Sequence, residues 1–247
     1  MIAMIESPIA TPALQLWCVR EDLANDPKGT LAAVRAAGFI EVEPFSADDF
    51  PGLGDAIRSV GLRVTSVHEH LIDVDVNCAL DVAQSLGASM VIESWTEPER
   101  WRSKSSVSEL AHTLNAAARV AAERGLRVSY HNHDHEFARG HDGEPLYFGF
   151  AEHLSPDVHL QLDIGTVTLA GVDPVSVLDR LGHRIESVHV LGEVDAVSQV
   201  LENPRGAIAT HIRAIPPHAR VILELEDGPF SNVTRALAAI DIIGAQS

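Results

Sequence analysis

The sequence is poor in cysteine and in long apolar runs. Its two cysteines, Cys18 and Cys78, lack a metal-binding spacing, so a reducing compartment is the simplest interpretation. No stretch approaches the roughly 20 apolar residues that a membrane span needs. Residues 1–12 lack a basic region followed by an apolar run, so no signal peptide is expected. These absences predict a cytoplasmic protein without a membrane partner.

Basic residues are also scarce relative to acidic ones. The 247 residues include 35 Asp and Glu against 18 Lys and Arg, which gives a net charge of −17. A field of this sign repels phosphate backbones and argues against nucleic acid as a partner. No cluster of Lys or Arg stands out as a phosphate clamp, which favours an unphosphorylated substrate. Bound divalent cations would neutralise part of the excess acid.

Strand-like and helix-like segments alternate from end to end of the chain. Eight apolar runs read as strands, at residues 14–19, 39–43, 63–68, 90–95, 127–131, 158–163, 185–190 and 221–226. Segments rich in Ala and Leu lie between them, and several end in glycine just before the next strand, as capped helices do. Eight βα units in about 250 residues are typical of a (β/α)₈ barrel. We therefore predict a single α/β TIM-barrel domain over residues 1–247.

A doubly wound open sheet also alternates strands and helices, and it is the main structural alternative. That fold usually carries a glycine-rich phosphate loop after its first strand. Here the first strand runs into residues 17–22, WCVRED, which contain no glycine. The sequence therefore favours the closed barrel.

Residues 130–137, YHNHDHEF, concentrate metal-ligand chemistry at the end of one predicted strand. Later predicted strands also contain or end in an acid or a histidine, namely Asp163, His189 and Glu224. In a barrel the carboxyl ends of the strands form the active site, so these side chains are expected to converge. Carboxylates and imidazoles together suit Mn²⁺, Mg²⁺, Co²⁺ or Zn²⁺.

Each of these residues also has a structural explanation. A single acid at a strand end is more often a helix N-cap or a loop residue. The occurrence of ligand-type residues at successive strand ends favours a metal site over capping. Trp95, Trp101 and Tyr147 are candidates for lining a pocket, and packing in the core or on the surface explains them equally well.

The motifs resemble those of the sugar phosphate isomerase/epimerase proteins of the xylose-isomerase-like barrel superfamily. The resemblance covers nearly the whole chain. LQLWCVR at residues 14–20 and GFIEVE at 38–43 resemble the first two strands of that family, and 130–137 is the most specific match. Asp163, His189 and Glu224 match its sixth, seventh and eighth units.

The resemblance implies an enzyme that acts on a small-molecule carbohydrate with the help of a divalent metal ion (Mn, Mg, Co or Zn). The implied ligands are Glu136, Asp163, His189 and Glu224, with His131 or His133 as alternatives to Glu136. The implied reaction is isomerisation or epimerisation of a sugar or keto-polyol, by loss of a proton next to a carbonyl and formation of a metal-stabilised enediolate. The catalytic candidates are Glu136, Glu224, His131 and His133. The substrate-binding candidates are His68, Glu43 and Trp17.

Other functions remain open at this point. A lyase would expel a β-hydroxyl from the same enediolate and dehydrate a keto-sugar or keto-acid. Phosphodiester cleavage, the reaction of apurinic-site endonucleases in the same superfamily, is opposed by the acidic net charge. A non-catalytic sugar-binding barrel stays open because Leu191-Gly192 and Thr166 replace residues that the family often has. The sugar, its phosphorylation, the metal and the oligomeric state, a homo-oligomer included, are undetermined.

Overall fold

The computed structural model describes residues 11–192, 194–226 and 228–245, and within them nine β-strands and eleven α-helices alternate. Residues 1–10, for which no signal peptide is expected, lie outside the described chain. The strands are β1 (Ala13–Gln15), β2 (Glu41–Glu43), β3 (Arg63–Val64), β4 (Ser66–Glu69), β5 (Met90–Glu93), β6 (Arg127–His131), β7 (Val158–Asp163), β8 (Ile185–Val190) and β9 (Arg220–Leu223). The helices are α1 (Arg20–Asn25), α2 (Pro27–Ala36), α3 (Leu53–Ser59), α4 (Val76–Leu86), α5 (Lys104–Glu123), α6 (Leu146–His153), α7 (Ile164–Leu169), α8 (Pro174–Leu181), α9 (Val194–Glu202), α10 (Ala207–Arg213) and α11 (Phe230–Ala245).

All the strands belong to one parallel sheet, in the order β3-β2-β1-β9-β8-β7-β6-β5-β4. β3 and β4 are two parts of one barrel strand, separated only by Thr65. A parallel bridge between Phe45 and His68 joins the segment after β2 to β4 and brings the two edges of the sheet together. The predicted (β/α)₈ barrel is therefore confirmed, and the open doubly wound sheet is not formed.

Several predicted strands are longer than those observed. The first strand ends at Gln15 because the side chain of Gln15 accepts a hydrogen bond from the backbone N–H of Trp17 at 3.3 Å. That contact caps a 3₁₀ helix, Leu16–Val19, in which the apolar residues continue. The predicted strands at 90–95 and 221–226 end early, at Glu93 and Leu223.

Several helices begin where the sequence offers a capping side chain. Asp26, Asp75 and Asp173 each accept a hydrogen bond from a backbone N–H in the first turn of the helix that follows, which satisfies donors that would otherwise be unpaired. Gly87 ends α4 at a φ of +76°, a conformation that glycine adopts without strain. None of the helices in the described segments combines the length and apolar character of a membrane span.

Period-two alternation along the strands gives the barrel two different faces. Leu14, Val67, Leu162 and Val188 are fully buried apolar residues on the outer face, beneath the helices. The residues between them point inward, where many are polar, namely Gln15, Ser66, His68, Gln161, Asp163, Ser187 and His189. Barrel interiors are usually filled by branched apolar side chains, so a polar interior identifies this core as the place to look for function.

Candidate metal centre

Four side chains meet at the carboxyl end of the barrel. They are His131 at the end of β6, Asp163 at the end of β7, His189 on β8 and Glu224 just after β9. Each offers one ligand atom, and these atoms all lie within 4.8 Å of one another. All four residues are buried, and the parallel register places Asp163 directly beside His189. The sequence prediction that Asp163, His189 and Glu224 converge therefore agrees with the geometry.

The electrostatics of the two carboxylates fit a bound cation. Burial and the nearby Glu224 carboxylate raise the pKa of Asp163 to about 6. Two buried carboxylates this close repel each other when both are ionised. A divalent ion between them would remove that repulsion and lower the pKa of the carboxyl groups. Two carboxylates and two imidazoles are also a donor set that first-row divalent metals accept.

His189 is held at both ring nitrogens. Its Nδ1 lies 2.6 Å from Oε2 of Glu224, and its Nε2 lies 2.7 Å from Oε1 of Glu43. Burial alone would lower the pKa of His189, but these two carboxylates raise it well above its ordinary value. The ring is thus a cation while no metal is bound, and binding a metal through Nδ1 requires the loss of that proton.

His131 is neutral and keeps an unprotonated nitrogen. Its Nδ1 donates to the amide oxygen of Gln161 at 2.9 Å, so Nε2 carries the lone pair. Burial, and then the neighbouring His189, lower the pKa of His131 well below its ordinary value. A neutral imidazole of this kind suits a metal ligand or a general base.

Glu136 lies apart from this group of four. It sits on the 3₁₀ helix His135–Phe137 and is fully buried. Its Oε1 accepts a hydrogen bond from the Tyr130 hydroxyl at 2.7 Å, and its Oε2 accepts one from the backbone N–H of His133. Nδ1 of His133 is 3.7 Å from Oε1. The structure brings His131 rather than Glu136 to the other three ligands, and the role of Glu136 as a ligand stays a prediction.

Glu43 lies beneath the metal centre as the common acceptor of a buried network. Its donors are Gln15 Nε2 at 3.0 Å, Gln161 Nε2 at 3.0 Å, His189 Nε2 at 2.7 Å and the Ser66 hydroxyl. Nε2 of His68, whose N–H is donated to Gln161, lies 3.1 Å from Oε1 of Glu43. Burial alone would raise the pKa of Glu43, but His68 and His189 hold it well below its ordinary value. Metal-bound histidines commonly donate their second N–H to such a carboxylate. Glu43 therefore has the position of a residue that orients His189.

A second group, of three histidines, is less suited to a metal. Ligand atoms of His68, His131 and His189 also lie within 4.8 Å of one another. The amide oxygen of Gln161 lies 2.7 Å from Nε2 of His68 and 2.9 Å from Nδ1 of His131. Because an amide oxygen only accepts, both ring nitrogens carry their protons there. His68, predicted to bind substrate, is thus a buried member of the hydrogen-bond network.

Two partly exposed tryptophans follow the ends of β1 and β5. Trp17, predicted to bind substrate, is 37% exposed and packs edge-on against Phe45 at 5.0 Å. Trp95 is 40% exposed and packs edge-on against His133 at 4.5 Å. Trp101 is buried beneath the helices, where packing accounts for it. Exposed indole faces at the rim of a polar site are suited to the apolar C–H surfaces of a ligand.

Several polar residues of the site were not predicted from the sequence. The side chain of Gln161 makes hydrogen bonds with Glu43, His68 and His131. The Ser187 hydroxyl oxygen accepts a further hydrogen bond from Nε2 of Gln161 at 3.0 Å. A signal for them exists, because a polar residue stands two positions before a site residue on four strands, in SVH at 66–68, SYH at 129–131, QLD at 161–163 and SVH at 187–189. Residues two apart share one face of a strand, so each triplet places a polar layer directly beneath the metal centre.

Asn132, inside the histidine-rich motif, was also missed. Its Oδ1 accepts the backbone N–H of Asp163 at 3.0 Å, and its Nδ2 donates to the Thr166 hydroxyl at 2.9 Å. The Asp163 carboxylate in turn accepts the N–H of Thr166 at 3.0 Å. Asn132 thus ties the end of β6 to the start of α7 and fixes the backbone that carries Asp163.

Metal affinity is expected to rise with pH, because a bound metal displaces protons from its ligands. His189, whose pKa is raised well above its ordinary value, must lose a proton to the metal. Asp163, whose pKa is raised to about 6, gains a competing proton as the pH falls below that value. Affinity therefore falls more steeply as the pH falls through about 6. Calorimetric Mn²⁺ titrations in buffers of different ionisation enthalpy measure the protons released. An affinity and proton release that do not change with pH would contradict the assignment.

Profiles of known protein families give no match to the sequence. Two curated relatives, both named inosose dehydratase, match part of it. The relative from Clostridium botulinum (strain Alaska E43 / Type E3) is 27% identical over 106 residues, which are 42% of this chain and 35% of the relative. The relative from Clostridium beijerinckii is 20% identical over 162 residues, 65% of this chain and 49% of the relative. The matches thus span about a third to a half of these relatives.

Solved structures match nearly the whole chain. A sugar phosphate isomerase/epimerase from Parabacteroides distasonis superimposes with a TM-score of 0.76 at 19% identity, over 95% of both chains. A xylose isomerase-like TIM barrel protein from Mycobacterium smegmatis, in complex with magnesium, gives 0.66 at 13% identity, over 98% of this chain and 99% of that one. The 3-keto-D-glucoside 4-epimerase of E. coli gives 0.64 at 15% identity, over 94% and 98%. This chain has the xylose isomerase-like barrel fold.

Proposed function

We propose that the protein is a divalent-metal-dependent isomerase or epimerase that moves a proton at the carbon next to the carbonyl of a sugar or keto-polyol. The observation that carries this proposal is the buried group His131, Asp163, His189 and Glu224 at the carboxyl end of the barrel. Its fold neighbours support it, since they include a sugar phosphate isomerase/epimerase, a magnesium complex and a keto-sugar epimerase.

Asp163, His189 and Glu224 hold the metal, and His131 or Glu136 completes the set. When bound, the ion supplies Lewis-acid stabilisation of negative charge on neighbouring substrate oxygens. Glu43 and Gln161 keep the imidazoles in fixed orientations from below. Trp17 and Trp95 contribute apolar faces at the rim, against which the C–H surfaces of a carbohydrate pack.

Proton transfer needs one group that accepts and one that returns the proton. The carboxylate of Glu224 serves as the base, or the unprotonated Nε2 of His131 does so where Glu136 rather than His131 completes the metal set. His133 serves as the donor, because Glu136 raises its pKa although burial alone would lower it. Nδ1 of His133 is buried and lies 3.7 Å from Oε1 of Glu136, the carboxylate that raises its pKa. A positioned acid or base of this kind contributes roughly 10²–10⁴-fold to the rate.

A dehydratase is the second candidate. After the same proton abstraction, His133 would protonate a β-hydroxyl, which leaves as water. The observation that favours this reading is the pair of curated relatives named inosose dehydratase. The two reactions share the metal centre and the base, and they differ in the atom that the acid protonates.

The proposal is tested by metal content and by a substrate screen. The purified protein is expected to bind close to one equivalent of Mn, Co, Zn or Mg by elemental analysis, and the Asp163→Asn, His189→Ala double variant is expected to bind none. Keto-sugars and keto-polyols are then incubated with the metal-loaded protein in D₂O. Deuterium in an isomerised product at the carbon next to the carbonyl supports the isomerase, and a new ultraviolet-absorbing enone supports the dehydratase.

The double variant serves as the control in the same screen. It should be folded by circular dichroism and inactive towards every compound. A wild-type protein that takes up no metal, even after addition of Mn²⁺, would refute the metal centre. The non-catalytic sugar-binding barrel would then be the favoured function. A metal-loaded protein that exchanges no proton in any keto compound would refute the reaction while leaving the metal centre in place.

A further inference from the structure

A large cavity lies at the opposite end of the barrel from the metal centre. It has a volume of about 800 Å³. Arg127 at the start of β6, Arg220 at the start of β9 and Ser66 at the start of β4 line it. Because the strands are parallel, their starts mark the amino end of the barrel. Barrel enzymes carry out their chemistry at the carboxyl end, so this cavity is separate from the proposed active site.

The charge of the lining is opposite to that of the chain. The protein has 35 acidic against 18 basic residues, yet the described lining contains three arginines, Arg127, Arg213 and Arg220, and one acid, Glu186. Arg127 is far in sequence from Arg213 and Arg220, so folding is needed to bring the three together. Guanidinium groups present several N–H donors each and bind phosphate or carboxylate oxygens in pairs.

Two of the arginines are partly exposed, and each pairs with one acid. Arg127 lies 3.1 Å from Glu186, with side chains 48% and 33% exposed. An exposed ion pair of this kind is weak, so an incoming anion competes with it at little cost. Arg220 is 41% exposed and pairs with Glu41, whose side chain is 10% exposed. Glu41 also pairs with Arg63 at 3.0 Å, so it keeps a partner when Arg220 binds a ligand.

The floor of the cavity adds a hydroxyl that is buried and has a proton to donate. Ser187 is 5% exposed and lines the cavity. Its hydroxyl oxygen accepts a hydrogen bond from Nε2 of Gln161. Among the described residues, the Ser187 hydroxyl proton has no assigned acceptor. A polar floor of this kind favours an anion over an apolar ligand.

We propose that this cavity binds a metabolite-sized anion that carries two phosphate or carboxylate groups. β6 and β9 are separated by β7 and β8, and neighbouring strands lie about 4.8 Å apart. One group is therefore bound by Arg127 and the other by Arg220, with an elongated linker between them. The occupant is a regulatory or stabilising ligand rather than the substrate, and the proposal does not depend on the reaction at the metal centre.

Two linear probes test it, hexane-1,6-diyl bisphosphate and octanedioate, which carry no keto or hydroxyl group for the metal centre. At least one is expected to bind with a Kd in or below the millimolar range, by calorimetry at constant ionic strength. The probe that binds identifies phosphate or carboxylate as the ligand chemistry. In the wild type, the Nε–Hε NMR signals of Arg127 and Arg220 are expected to shift on binding.

Single variants localise the site. Arg127→Gln and Arg220→Gln are each expected to weaken binding at least about tenfold, since each removes a charge-assisted pair. Glu186→Gln is expected to strengthen it several-fold, because Arg127 loses its competing acid. Arg102→Gln is the matched control, since it removes an equal charge from an exposed pair with Glu99. Failure of both probes to bind at 10 mM, or equal weakening by all three arginine variants, would overturn the proposal.

Discussion

Replacement of Glu224 by Gln is expected to lower kcat/KM by roughly 10²–10⁴-fold, the range for loss of one positioned catalytic group. The substitution keeps the shape of the side chain and removes its negative charge. Glu224 is buried, and its Oε2 lies 2.6 Å from Nδ1 of His189. A neutral amide in that place neither balances the charge of a cation nor accepts a proton from the substrate.

The measurement is steady-state kinetics on whichever keto compound is turned over, with the metal content determined in the same samples. Glu202→Gln, an exposed glutamate at the end of α9, removes the same charge away from the site and should leave kcat/KM unchanged. Circular dichroism should show an intact fold for both variants. A Glu224→Gln enzyme with wild-type turnover would remove Glu224 from the reaction altogether.

The fold could be predicted because its signals are local. Most strands carry alternating apolar residues, and several helices begin at a capping residue such as Asp75 or Asp173. The strand ends were harder, because apolar sequence continues past Gln15 although the strand does not. There the deciding contacts are those of side chains with the backbone, such as Gln15 with the N–H of Trp17. Composition does not reveal them.

The metal centre was predictable in part for the same reason. Asp163 and His189 lie on strands whose carboxyl ends converge in any barrel. Glu136 lies several residues beyond its strand, and its direction depends on the hydroxyl of Tyr130, a residue of the outer face. Local spacing does not determine that contact, so the sequence left Glu136, His131 and His133 as alternatives.

The hydrogen-bond network beneath the metal centre could not be predicted from the sequence, for a different reason. Glu43 and His189 are 146 residues apart in sequence and 2.7 Å apart in the barrel. β2 does not pair with β8, and Glu43 and His189 meet because their side chains both point into the barrel interior. Gln161 and Ser187 are uncharged, so composition gives no warning of them, and the repeated polar triplets acquire meaning once the barrel interior is known to be polar.

Replacement of Glu43 by Gln is expected to weaken metal binding about 10–100-fold, the usual effect of losing the partner of a metal-bound histidine. In the wild type, Nε2 of His189 donates to Glu43, which leaves Nδ1 for the side of Glu224. A glutamine retains one acceptor oxygen but lacks the negative charge that makes the His189 imidazole donate electrons strongly to a metal. The amide N–H₂ of the new glutamine would also face the N–H donors of Gln15 and Gln161, so at least one of these hydrogen bonds is lost.

The same carboxylate is expected to matter for stability before any metal binds. Glu43 is 0% exposed and pairs with His68 and His189, and breaking a buried pair by removing one partner costs about 3–5 kcal/mol. Urea unfolding of the metal-free Glu43→Ala variant should show that loss of stability. The Mn²⁺ affinity of the Glu43→Gln variant is measured by competition with a chromophoric chelator. Glu41→Gln is the matched control, two positions earlier on β2, and it should bind Mn²⁺ as the wild type does. Wild-type Mn²⁺ affinity of Glu43→Gln would mean that Glu43 balances charge in the barrel core without orienting His189. In that case the contact with Glu224 alone would direct Nδ1 of His189 towards the metal.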